Sequence, residues 1–205
     1  MASPIAHSFA GIWTFMPLLS RVRYRVSEWR PYLPKLFLLI LLANLPDFDF
    51  LIELGFPAHE LHRGFTHSLI AAIVVSLGLG CIWRIVPGFW RSVLLYFAAY
   101  GSHLSIDLCT GTHLGWSNSG SGIPLFWPWH QQFSSPLILV YGVHHGTLAA
   151  LFSLDNAFSS TYELLTFGGI TAVLLILWKQ KLKPQTHRPG PEPAPHPLAE
   201  LQPHK

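Results

Sequence analysis

The sequence predicts an all-α, polytopic membrane helical bundle of about five spans, with one re-entrant helix and a disordered Pro-rich tail. Three observations predict it. Half of the 205 residues are hydrophobic and only 11% are charged, whereas soluble domains carry roughly 25% charge. The basic residues are segregated: between Leu36 and Trp178 they are Arg63, Arg84 and Arg91, while Arg21, Arg23, Arg25, Arg30, Lys35, Lys179, Lys181 and Lys183 flank that stretch. Finally, the apolar residues fall into six runs, most of them somewhat shorter than the ~20 residues of a standard span.

The first run, Pro4–Leu19, has its Arg cluster after the apolar stretch and no small-residue cleavage site, so it reads as a retained segment. Positive-inside reasoning puts the Arg21–Lys35 loop in the cytoplasm, and Leu36–Leu54 then exits at the outer face. Ser68–Trp83 returns, bringing Arg84 and Arg91 inside, and Ser92–Leu108 exits again. Six full crossings would leave the Lys179–Lys183 anchor outside, against the charge rule. Pro136–Phe152 resolves the conflict, because His144 and His145 at mid-depth are costly in hydrocarbon; it reads as re-entrant or surface-lying. Tyr162–Trp178 is the cleanest span, free of charge from Leu164 onward and ending at Trp178 before Lys-Gln-Lys-Leu-Lys. From Pro184 there are 7 prolines in 22 residues, a composition that cannot build a core. The chain thus divides into a membrane-embedded helical metal-site domain over 1–183 and a disordered tail over 184–205.

The sequence pI of about 9.0 reflects these membrane flanks. Nucleic-acid binding would need a basic stripe on a folded face, and the Arg and Lys residues sit instead where anionic headgroups would be. Cys81 and Cys109 have neither CxxC spacing nor further partners, so no disulfide framework or redox motif is legible.

The polar residues of the apolar runs carry the chemistry. His103 and Asp107 lie one turn apart on a single helix face, a spacing that suits one metal ion or a local imidazole–carboxylate hydrogen bond. Asp47 and Asp49 follow Pro46, which interrupts the helical ladder; their oxygens suit a divalent cation, or cap a helix. His62-Arg63-Gly64-Phe65-Thr66-His67-Ser68 precedes the third run, with Thr66 as an N-cap and His67 in the first turn. Its two imidazoles suit metal ligation and Arg63 suits a phosphate, or all three are interfacial anchors. His7 opens the first run, and the topology brings all four groups to the outer face. Thr110–Ser135 has no charged side chain but several Trp and Phe, as an interfacial lid would; its His113 and His130 read as interface decoration.

Pro-Ile-Ala-His, Leu-Pro-Asp-Phe-Asp, His-Arg-Gly-Phe-Thr-His-Ser and Gly-Ser-His-Leu-Ser-Ile-Asp-Leu-Cys-Thr occur in that order. The arrangement resembles the family of LexA-regulated, inner-membrane metal-dependent hydrolases over about residues 4–129. The resemblance implies a metal site of His7, Asp47, Asp49, His62, His67, His103 and Asp107. A looser similarity, to the zinc-dependent phospholipase C fold, implies clustered zinc ions, but that fold's late His-x-x-x-Glu has no match here.

The expected activity is hydrolysis of a lipid or lipid-linked ester, a phosphoester by preference, at an inner (plasma) membrane. The cofactor is a divalent metal, Zn²⁺ first and Mn²⁺ or Fe²⁺ next by ligand type. Asp49 or Asp47 would serve as general base if it is not a ligand, and Arg63 would stabilise charge on the substrate. A metal or proton transporter with a His/Asp-lined pathway, and a protein using the site for structural metal, are the alternatives.

Overall fold

The computed structural model describes residues 2–19, 30–49, 64–143 and 153–181. Five α-helices account for most of them: α1 (Pro4–Leu19), α2 (Leu33–Asn44), α3 (Leu69–Ile82), α4 (Phe89–Leu108) and α5 (Leu154–Lys181). Each follows an apolar run of the sequence, and α1 has the expected bounds. The Pro-rich tail and the His144–His145 pair lie outside the described residues.

The helices form a bundle in which α1 packs on α2, α4 and α5, while α4 also packs on α2 and α3. Small residues allow this closeness. A Cβ on Gly11 of α1 would lie 2.7 Å from the Ile40 Cα of α2, so these two helices touch backbone to backbone. The core between them is built of Phe15, Leu39, Leu42, Ala71, Tyr96 and Leu104, all essentially buried. At the start of α1, Pro4 occupies the first helical position, where its missing N–H costs nothing. The Ser3 hydroxyl accepts from the Ile5 N–H at 3.2 Å.

Two expectations need correction. The third apolar helix is capped by Ser68, whose Oγ accepts from the Ala71 N–H at 3.2 Å, and not by Thr66, which sits in a preceding 3₁₀ turn, Phe65–His67. The fold is not purely helical. Thr110–Gly111 (β1) pairs in parallel with Val140–Tyr141 (β4), and Gly115–Trp116 (β2) pairs antiparallel with Leu137–Ile138 (β3). Residues 136–143 therefore begin no re-entrant helix. Their β-branched and aromatic side chains suit extended backbone, and the Leu139 N–H donates to the Cys109 carbonyl at 2.8 Å. The part of that segment from 144 to 152 lies outside the described residues.

Among the described residues, Leu154–Gln180 is the one helix long and apolar enough to cross a membrane. At 1.5 Å per residue, the 16, 12 and 14 residues of α1, α2 and α3 give helices of about 18–24 Å, short of a ~30 Å hydrocarbon core. The 20 residues of α4 would reach across, but they carry Arg91, His103 and Asp107.

Candidate metal centre

Four helix ends converge. His7 lies in the first turns of α1. Pro46 lacks the N–H that would continue α2, and the chain tightens there into a 3₁₀ turn, Leu45–Phe48, that presents Asp47. His67 closes the Phe65–His67 turn, and His103 and Asp107 share one face near the end of α4. His7, His67, His103 and Asp107 are at most 1% exposed; the Asp47 side chain is 20% exposed.

The distances suit a metal ion. His67 Nε2 and His103 Nε2 lie 3.2 Å apart. Asp47 Oδ1 is 3.5 Å from the former and 3.6 Å from the latter, and Asp107 Oδ2 is 3.6 Å and 3.4 Å from the same two atoms. All four ligand atoms lie within 4.8 Å of one another. A tetrahedral ion with bonds of 2.0–2.1 Å separates its ligands by about 3.3–3.4 Å, whereas a direct charged hydrogen bond would draw nitrogen and oxygen to about 2.7–2.9 Å. Asp47 Oδ1 and Asp107 Oδ2 are buried without a hydrogen-bond partner among the described residues. The donor set fits one divalent cation.

Outer contacts fix the ring orientations, as metal-ligating histidines require. His103 Nδ1 faces the Ala43 carbonyl at 2.8 Å, which leaves Nε2 for the cluster. His67 Nδ1 lies 3.1 Å from the Thr66 hydroxyl, which donates to Asp49 Oδ2 at 2.7 Å. The Tyr100 hydroxyl donates to the Thr66 carbonyl at 2.7 Å and ties this turn to α4. Burial lowers the pKa of His67, but the carboxylates of Asp47, Asp49 and Asp107 around the ring outweigh that and push it up to about 9. A cation would have to displace that proton.

Of the residues expected from sequence, His7, Asp47, His67, His103 and Asp107 thus come together. Asp49 stands against the far side of the His67 ring, 3.6 Å from Nδ1, outside the group of four. His62 and Arg63 lie outside the described residues. His113 is bonded to Thr112 within the loop after α4.

Glu163 is the residue that sequence reasoning passed over. Fully buried on α5, it accepts from the Ser3 N–H at 2.9 Å, the Ala6 N–H at 3.2 Å and the Ser3 hydroxyl. It therefore caps the helix that carries His7. The signal was present, since a carboxylate at the edge of an apolar span is rare unless it has work there.

Residues 1–184 match the family described as YdjM inner membrane protein. Inner membrane protein YbcI of Escherichia coli (strain K12) is 36% identical over 107 residues, which is 49% of this chain and 58% of that protein. The match therefore spans less than two thirds of the relative's length. No solved structure matches.

Proposed function

The chain belongs to the YdjM inner membrane protein family, and from that premise we propose that it is a membrane-bound, metal-dependent hydrolase acting on a lipid or lipid-linked phosphoester. The observation that carries this reading is the convergence of His67, His103, Asp47 and Asp107 at the spacing of metal ligands, with two of the carboxylate oxygens otherwise unpartnered among the described residues. In this reading the chain crosses the inner membrane several times and the cluster lies near its outer face. The family name, the long apolar α5 and the flanking Lys residues support membrane placement.

His67 and His103 would hold the ion through Nε2, with Asp47 and Asp107 neutralising its charge. Zn²⁺ suits this donor set first, then Mn²⁺ or Fe²⁺. When bound, such an ion supplies Lewis acidity and a water of lowered pKa. Asp49 and Thr66 hold the His67 ring in place. Arg63, next to this turn in the chain, would receive the phosphoryl charge. Asp47, the most exposed member of the cluster, marks the side from which a headgroup enters.

A second reading is favoured by the count of ligands. Four protein donors close a tetrahedral site, as in structural zinc centres, so the ion would serve assembly alone. One experiment separates the two. The detergent-purified protein and a His103→Ala, Asp107→Ala variant are compared for metal content by mass spectrometry and for hydrolysis of phosphoesters in mixed micelles. Metal and hydrolysis, both lost in the variant, support the hydrolase; metal without hydrolysis of any lipid phosphoester favours a structural ion; a metal-free wild type after reconstitution with Zn²⁺ and Mn²⁺ ends both readings.

A further inference from the structure

His7 takes no part in the four-ligand cage. Its ring is fully buried, and neither nitrogen has a hydrogen-bond partner among the described residues. Yet Nε2 is aimed between the two carboxylates of the cage, 3.7 Å from Asp47 Oδ2 and 3.6 Å from Asp107 Oδ1. These are not the oxygens that face His67 and His103. Each carboxylate is split: Asp47 turns Oδ1 and Asp107 turns Oδ2 toward that pair, and each turns its remaining oxygen toward His7.

A protonated His7 would draw one of these oxygens into a charged hydrogen bond at about 2.7–2.9 Å. Both instead stand off by nearly equal distances, as ligands do around a shared centre. The His7 ring also stacks on His103 with centroids 3.8 Å apart and planes at 20°, so the two imidazoles meet the carboxylate pair side by side.

We propose that Asp47 and Asp107 bridge two divalent cations, the second held by His7 Nε2, Asp47 Oδ2 and Asp107 Oδ1. The inference rests on the reading that the four-ligand cage holds the first. The two positions differ in kind. The first has four protein donors, whereas the second has three and keeps an open coordination position, the pattern of catalytic sites. Asp107 Oδ1 also accepts from the Ala2 N–H at 3.1 Å, which uses one lone pair and leaves the other. Two dications against two bridging carboxylates leave a net positive charge, so the ligand drawn to the open position is an anion of the phosphate class.

The test uses the full chain in detergent, stripped of metal and reconstituted with Mn²⁺. Metal equivalents are counted by mass spectrometry and the spectrum is recorded by electron paramagnetic resonance. The wild type is expected to bind two equivalents and to show an exchange-coupled spectrum. His7→Ala should bind one and show the six-line spectrum of an isolated ion; His7→Phe, which keeps a ring against His103 but removes both nitrogens, should do the same. Two coupled ions retained in both variants would overturn the assignment of His7. One uncoupled ion in the wild type at saturating Mn²⁺ overturns the second position and leaves the first standing, whatever the variants do. A wild type that binds none overturns both.

Discussion

The Thr66 hydroxyl stands between His67 and Asp49, donating to the carboxylate and able to accept from the ring, so it decides which imidazole nitrogen faces the cluster. Partners of this kind are worth roughly 10–100-fold in metal affinity. Thr66→Val should weaken Zn²⁺ binding by about that factor, measured by competition with a chelator dye; unchanged affinity would remove Thr66 from the site's support. A pH effect belongs to His67. Its pKa in the folded, ion-free protein is about 9, above the ordinary 6.5. The stabilisation from its protonated form is therefore full below about pH 6.5 and is lost as pH rises through about 9. The melting temperature of ion-free protein should fall across that window while metal affinity rises, because the ion must displace the proton. An ion-free melting temperature that stays flat from pH 6.5 to 9 would contradict this account. His103 and Asp107 were legible from their four-residue spacing, but the division of labour between Asp47 and Asp49 was not. It depends on how the turn after Pro46 aims each side chain.

Helix ends, more than helix centres, make this site, and the contacts that fix them lie far apart in the sequence. Glu163 on α5 closes the first turn of α1; Glu163→Gln leaves a neutral amide where a charged acceptor held two N–H groups, and metal binding through the His7 side should weaken while α5 still inserts. Equal metal content and melting temperature in this variant would deny Glu163 a positioning role. Where α1 crosses α2, Gly11→Ala forces a Cβ to within 2.7 Å of Ile40 backbone. Overpacking of this kind costs about 1–3 kcal/mol, readable as a lowered melting temperature in detergent. Apolar runs announced the helices because each helix must bury an apolar face. The paired strands of 110–141 gave no such notice, since two-residue strands are too short for an alternating pattern and are set by hydrogen bonds to the chain leaving α4.

At the scale of the whole molecule, α5 is both the candidate membrane span and a brace for α1. Its Leu165 and Val173 are more than half exposed, while Trp13 of α1 stacks on Phe167 and donates to Thr171 at 2.8 Å on the opposite side. Leu165→Arg should reduce the membrane-integrated fraction in carbonate extraction, because a charge near the centre of a span costs about 2.5–3.5 kcal/mol to insert. Full integration would argue that this helix does not cross. The assembled cluster has a further implication, for the order of events during synthesis. His7 and Asp107 stand roughly a hundred residues apart, and at about 5–20 residues per second their meeting waits on the order of 5–20 seconds. Over that interval the early helices must hold position without the ligands that complete the cage. On the proposed function, ion capture would therefore be a late step, open only to chains whose fourth helix has emerged, and nascent chains arrested before Phe89 should take up no metal.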